Sequence, residues 1–317
     1  MHLVVARDAT LERILDVTFP VWNDGLTRKA YGQLNDAQMR TSWGHAHLHR
    51  LALVDESGTL LSSAKRYRLR AVLRGRPVRV CGIGAVFTAP DARGRGYASE
   101  LVARLVQEAR QEGAEFAMLF SEIGPAFYER LSFQAVPLDE VSLAVERKDG
   151  APAMLVRAGG ESDLPALASM HAARAAASSF TLQRDPSYIQ FSLARKRLRA
   201  GLAPPGVRHV EFYVAEEGAS AVAYVILSIN EQGWTLDEAG DRDPAAARLG
   251  AMLQVLVARE PSSAQPAIRA WWPRTFPVPP QLKMTRTGRS RDQLMMRPLA
   301  DSPLPGDDVF YWRGDVF

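Results

Sequence analysis

Two hydrophobic rhythms alternate along the chain. Residues 50–55 form an alternating stretch, which Ser57-Gly58 turns back into 60–72 and Arg74-Gly75 turns again into 78–88, and this predicts a meander of antiparallel strands. A short strand at residues 3–6, a helix from Leu11 capped by Thr10 and a second helix over residues 35–43 come first. The period then changes. Tyr97, Leu101, Val102, Leu105 and Val106 recur at helical spacing, and Gly113 is the expected C-terminal stop. Residues 116–120 form the next apolar strand, Pro125 opens a short helix through Leu131, and residues 133–145 read as closing strands. The resulting order is β-α-α-β-β-β-α-β-α-β.

A charged break containing glycine and proline, Lys148 to Pro152, separates this pattern from a second copy of it. Residues 154–157 read as a strand, 164–176 as a helix, and 212–215 and 221–229 as strands around Glu217-Gly218. Residues 234–236 lead to a helix at 245–258, with Asp243 as its cap and Pro244 at its first position. A proline-rich stretch at 273–280 and a tail at 302–317 follow. The expected architecture is α+β: a mixed, mainly antiparallel sheet flanked by helices, written twice, with domains at 1–148 and 152–300 and a tail at 301–317.

At 317 residues the chain is long enough for two domains, and 47% hydrophobic with 23% charged residues excludes disordered and fibrous classes. A net charge of +4 spread along the sequence gives no basic stripe of the kind a nucleic-acid binder shows. The single cysteine, Cys81, cannot form an internal disulfide, and no apolar run is long enough to span a bilayer. Arg7 and Asp8 interrupt the first apolar run, so no secretory signal is expected. These readings point to a cytoplasmic protein with neither nucleic acid nor membrane as partner, and leave a homo-oligomer open.

The chemistry is concentrated between Val80 and Phe133. Gly82 and Gly84 are unusual inside a strand, where glycine marks a bulge or a close backbone approach. Directly afterwards, Arg93-Gly94-Arg95-Gly96-Tyr97-Ala98-Ser99 opens a helix, whose free amides and dipole suit phosphate oxygens. The segment lacks the Gly-Lys-Ser/Thr of a P-loop, and Ser99 stands where the dinucleotide fingerprint has its third glycine.

Arg93-x-x-Gly96-x-Ala98, after a strand and opening a helix, resembles the pyrophosphate-binding signature of the GNAT superfamily of N-acetyltransferases. Phe127-Tyr128-Glu129-Arg130-Leu131-Ser132-Phe133 is similar to that family's later phenylalanine-tyrosine-x-x-x-glycine-phenylalanine segment, with Ser132 in place of the glycine. The stretch 85–90 and the pair Ser121-Glu122 look like the enhanced-intracellular-survival type, which joins two such folds to a sterol-carrier-like domain that this chain is too short to hold complete. The resemblance implies acetyl-CoA as cosubstrate, without a metal. It implies that Val86, Phe87 and Thr88 give backbone contacts to the acetyl and pantetheine part. It also places Arg93, Gly94, Arg95, Gly96, Tyr97, Ala98 and Ser99 on the pyrophosphate and Ser121 among the cofactor-binding residues.

Tyr128 also has a chemical reading of its own, because a phenol stays protonated at neutral pH and can protonate a departing thiolate. In the same family type the terminal carboxylate accepts a proton in the active site, so the resemblance pairs Phe317 with Tyr128 as catalytic groups. A tail this aromatic is expected to pack, and a purely structural clasp is the competing reading. In the second copy, the acidic residues Asp237, Glu238, Asp241 and Asp243 are expected around the helix start, where they would repel a pyrophosphate. His45, His47 and His49 alternate as metal ligands would, and Cys81 could carry an acyl group, but neither has supporting partners.

The expected function is acetyl transfer to a primary amine of a small molecule or peptide. A coenzyme A-binding sensor without turnover, and a tandem transferase acting on an aminoacyl or thiol metabolite, remain as alternatives.

Overall fold

The computed structural model describes residues 1–146, 154–261 and 265–317. The break expected at Lys148 to Pro152 lies outside them. Elements run β1 (His2–Val5), α1 (Asp8–Trp22), α2 (Arg28–Arg40), α3 (Ser42–His47), β2 (Leu48–Val54), β3 (Leu60–Leu73) and β4 (Arg76–Thr88). Next come α4 (Tyr97–Gln111), β5 (Phe116–Ser121), α5 (Ala126–Glu129), β6 (Gln134–Val136), β7 (Asp139–Val145) and β8 (Leu155–Ala158). They continue with α6 (Leu164–Ala175), β9 (Phe180–Leu182), α7 (Pro186–Leu202), β10 (Arg208–Glu217), β11 (Ser220–Asn230), β12 (Gly233–Asp241) and α8 (Ala247–Ala258). The last are β13 (Ile268–Trp271), β14 (Leu282–Arg289), β15 (Gln293–Pro298) and β16 (Val309–Phe310).

Two compact units result. The first comprises residues 1–137, 291–305 and Phe317; the second comprises 138–290 and 306–316. In the first, the sheet order is β1-β2-β3-β4-β5-β15-β6, antiparallel except for the β4–β5 pair. In the second, the order is β8-β10-β11-β12-β13-β7-β14, antiparallel except for β12–β13. The repeat is therefore written in topology. In each unit a helix, α4 or α8, joins the two parallel strands, as a parallel pair requires.

The segment expected to close the first copy divides at Pro137. Residues 134–136 finish the first sheet, whereas β7 pairs with β13 and β14 in the second. Proline has no amide to continue a ladder, so the strand breaks there. The place beside β5 is filled instead by β15, whose Leu294, Met295 and Met296 are wholly buried.

Alternation decides which side chains meet which helix. In the first unit, Leu51, Leu53, Cys81 and Ile83 pack with Leu101, Val102 and Leu105 of α4, while Ala52 and Val54 pack with Ile14 of α1. In the second, Phe310 and Trp312 join Trp272 and Phe276 in the core. That burial of large rings fixes residues 306–316 in the second unit, so of the tail expected at the amino-terminal domain, residues 301–305 and Phe317 belong to the first.

Other differences are local. Helix α1 starts at Asp8 with Arg7, not Thr10, as N-cap; the Thr10 amide donates to the Arg7 carbonyl instead. Helix α8 starts at Ala247, because Asp243 and Pro244 belong to a turn closed by the Ala246 amide on the Asp243 carbonyl. Helix α7, which the apolar period did not predict, carries an Asp185 cap on the Tyr188 amide and Pro186 at its first position. Its arginine-rich second half hides the apolar period.

Candidate acyltransferase site

The glycine pair in β4 serves a bulge and a close approach at once. Ser63 pairs with Phe87 and Lys65 with Gly84, so Ala85 and Val86 together oppose Ala64, and Ala85 takes a φ of +49°. Pairing of β4 with β5 ends at Ile83 and Leu119. Beyond that point the two parallel strands have no common ladder, which leaves the β5-facing edge of residues 84–88 for a ligand backbone. Val86 packs on the α4-side core, Phe87 is buried against Trp22, and the Ser62 hydroxyl donates to the Phe87 carbonyl at 2.7 Å. The Thr88 carbonyl accepts from Arg93 Nε at 3.4 Å.

The close approach is made by Phe317. Its ring lies 4.9 Å from the Tyr67 ring and 5.5 Å from Phe120, centroid to centroid. A Cβ at Gly82 would stand 2.9 Å from the ring, and one at Gly84 would stand 3.2 Å from the Phe317 main-chain oxygen.

Residues 93–96 form an exposed loop entering α4, whose first residues, 97–99, are half-buried, with Gly94 at φ +75° and Gly96 at φ +81° as the N-cap. Among the described residues, the amides of Gly94, Arg95, Gly96, Tyr97, Ala98 and Ser99 donate to no protein acceptor; the first helical bond runs from the Glu100 amide to the Gly96 carbonyl. A Cβ at either glycine would meet nothing within 4 Å, so the loop is open to a ligand of some size. Six free amides, a helix dipole and the exposed guanidinium groups of Arg93 and Arg95 make this a place for phosphate oxygens.

Tyr128 sits on α5, 7% exposed, in the cluster that also holds Val86, Tyr97 and Phe133. Burial pushes its phenol up to about 12, so the proton stays on through the neutral range. Ser132, at the family's glycine position, adopts a φ of +63°, and the Phe133 amide returns to the Tyr128 carbonyl at 3.0 Å. Ser121 is buried, with its hydroxyl donated to the Gly124 carbonyl at 2.6 Å, where it holds the turn leading to α5.

Second-unit chemistry runs the other way. Asp237 and Glu238, expected at a helix start, lie within β12 and are buried beside Lys196 at 2.9 Å and Arg184 at 2.5 Å. These ion pairs let the strand run on through acidic residues. Asp241 ends it, and its carboxylate accepts the Leu249 amide in the first turn of α8 at 2.8 Å. An internal carboxylate thus occupies the anion position that α4 leaves open.

Cys81 is buried, and burial raises its thiol to about 11, which removes the thiolate a nucleophile needs. His45 and His47 lie on α3 and His49 on β2, and no metal-holding cluster exists among the described residues. Among those residues no helix is long and apolar enough to cross a membrane. One polar residue that the motifs did not mark is Arg50. It is 4% exposed, and its Nη2 donates to Asn35 Oδ1 at 2.5 Å while Nη1 has no partner.

Residues 13–136 match the family model for the acetyltransferase (GNAT) domain. The first unit is a GNAT acetyltransferase domain. By class, then, the chain is an acyltransferase. Solved structures share the fold over both units. A GCN5-related N-acetyltransferase from Kribbella flavida is 19% identical with a TM-score of 0.67, covering 94% of this chain and 70% of its own. A probable N-acyltransferase from Enterococcus faecalis is 14% identical with a TM-score of 0.68, over 94% and 72%. Eis1 from Mycobacterium abscessus is 17% identical with a TM-score of 0.60, over 94% and 74%. Compared with the curated proteins, the sequence matches none.

Proposed function

We propose that the first GNAT unit transfers the acetyl group of acetyl-CoA to a primary amine, and that the second unit binds no coenzyme. The observation that carries this reading is the contrast between the two helix starts: six free amides before and within the first turn of α4, and Asp241 seated on the matching turn of α8.

In this reading residues 93–99 bind the pyrophosphate of the cosubstrate, and the bulged edge at Val86, Phe87 and Thr88 pairs with its pantetheine amides and orients the thioester. Ser121 shapes the turn on the far side of that edge. The neutral amine attacks the thioester carbonyl carbon, the C–S bond breaks, and the thiolate takes the Tyr128 proton. In the 317-residue chain the Phe317 carboxylate, held on Gly84, accepts the proton that the amine loses, directly or through water. The Phe317 ring, packed on Tyr67 and Phe120, keeps that group in place.

Calorimetry with acetyl-CoA tests the assignment. One coenzyme per chain is expected, with affinity that survives Arg242→Ala and falls in Arg93→Ala. Two coenzymes per chain, or equal losses in the two variants, would remove the one-active-unit reading.

A further inference from the structure

Three successive main-chain carbonyls, those of Gly314, Asp315 and Val316, each accept from a side chain of the second unit. Ser192 Oγ donates to Gly314 at 3.0 Å, Tyr311 Oη to Asp315 at 3.4 Å, and Arg195 Nη2 to Val316. Residues 313–315 form a single helical turn, in which the Asp315 carboxylate accepts the Trp312 amide at 3.1 Å. Asp315 is buried and ion-paired with Arg184 at 3.4 Å. The turn lies against β12 just past Leu236, where the pairing with β13 ends: a Cβ at Gly314 would stand 3.0 Å from the Asp237 carbonyl oxygen.

Helix α7 supplies two of the three donors. Ser192, Arg195 and Lys196 are three and four residues apart, so they share one face of the helix, and Lys196 holds Asp237 of β12 at 2.9 Å. The Val316 carbonyl belongs to the peptide group that joins Val316, of the second unit, to Phe317, of the first. From the Val316 Cα to the Phe317 Cα, the atoms of that group lie in one plane. A guanidinium fixed on its oxygen therefore fixes where the Phe317 Cα stands. Only the torsions of Phe317 itself then remain to bring its ring to Tyr67 and Phe120 and its main-chain oxygen to Gly84.

We infer that Arg195 is a positioning residue for acyl transfer: by holding the Val316–Phe317 peptide, it sets the place of Phe317 at the β4 bulge. It rests on the acyl-transfer reading and names the residue on which Phe317 depends there. The second unit, without a coenzyme of its own, thus anchors the proton acceptor of the first. Arginine suits this task, because its guanidinium is always charged and a charge-assisted bond to a carbonyl is stronger than a neutral one. A reacting group misplaced by about 1 Å can lose ~10²-fold in rate.

The test follows thiol release from acetyl-CoA with hexylamine, spermidine and a lysine-containing peptide as acceptors. With the fastest of these, Arg195→Met is expected to lower kcat roughly 10- to 100-fold, while calorimetry shows nearly unchanged affinity for acetyl-CoA. Arg195→Lys, which keeps a cation within reach of the carbonyl, should recover part of the rate. Arg197, on the same helix but exposed and 5.9 Å from the centre of the Phe212 ring, is the control, and Arg197→Met should leave kcat unchanged. Removing Val316 and Phe317 should lower transfer at least as far as Arg195→Met does, and adding Arg195→Met to that shortened chain should change nothing further. Thermal unfolding checks that each variant is folded, and Arg195→Gln replaces Arg195→Met if the latter is not. Full kcat in Arg195→Met overturns the assignment, as does an equal loss in Arg197→Met or the same fold-loss from Arg195→Met in the shortened chain. A shortened chain as active as the wild type removes Phe317 as proton acceptor, and Arg195 with it. No thiol release by the wild-type protein with any of the three amines removes the acyl-transfer reading itself.

Discussion

The main-chain oxygen of Phe317 lies against Gly84, close enough that a single added methyl group would stand 3.2 Å from it. A Cβ added at Gly82, two residues earlier, would stand 2.9 Å from both the Phe317 ring and Leu69. A side chain at Gly82 therefore displaces Phe317, while residues 93–99 remain untouched. Gly82→Val is expected to lower acetyl transfer roughly 10- to 100-fold, in keeping with loss of a positioned base, with acetyl-CoA affinity nearly unchanged. Steady-state rates beside calorimetry check this. Unchanged rates would make Phe317 a packing residue only.

Tyr128→Phe removes the phenol proposed as proton donor but keeps the ring that packs on Phe127 and Phe133. Turnover should fall by about 10²–10⁴-fold where chemistry limits the rate, with binding intact. The pH profile follows from the direction of the phenol's shift. Raised to about 12, it holds its proton throughout the alkaline range in which the acceptor amine loses its own. Rates should thus climb with pH to about 10 and show no fall from tyrosine ionisation.

Arg93 is exposed, and its guanidinium lies 5.8 Å from the centre of the Phe87 ring. Arg93→Ala should weaken acetyl-CoA by roughly 1–3 kcal/mol if that group turns to a phosphate oxygen, and Arg242→Ala should leave the affinity where it was. Titration calorimetry at low and high salt reads both, and the loss at Arg93 should shrink as salt rises.

Ser132 holds a left-handed backbone where the related motif has glycine. Ser132→Gly should raise stability by about 1 kcal/mol, visible as a higher Tm, because glycine takes that conformation without a Cβ clash. A lower Tm would mean that the serine side chain stabilises the turn by more than its backbone costs.

Strands β2 to β5 and helix α4 were legible because their periods are clean and their turns carry glycine. The exchange of β7 and β15 was not. A strand's own residues report that one face is buried, and nothing in residues 139–145 says which sheet will take them. The acid-rich β12 was misread for a different reason: Arg184 and Lys196, whose charges make burial of Glu238 and Asp237 tolerable, lie some forty to fifty residues away in sequence. Within the proposed site, the glycines, Tyr128 and the loop before α4 stand out in the sequence by residue type and spacing. Arg50 did give a signal, an arginine at an inward position between Leu48 and Ala52, but only the structure shows that its Nη1 is buried without a hydrogen-bond partner.

The most direct measurement is thiol release from acetyl-CoA across a panel of primary amines, run with wild-type protein and Tyr128→Phe side by side. Amine-dependent release by the wild-type protein, falling about 10²-fold or more in the variant, is the result expected of a positioned general acid. Tight binding of acetyl-CoA with no thiol released for any amine would contradict catalysis and leave a coenzyme-binding module in its place.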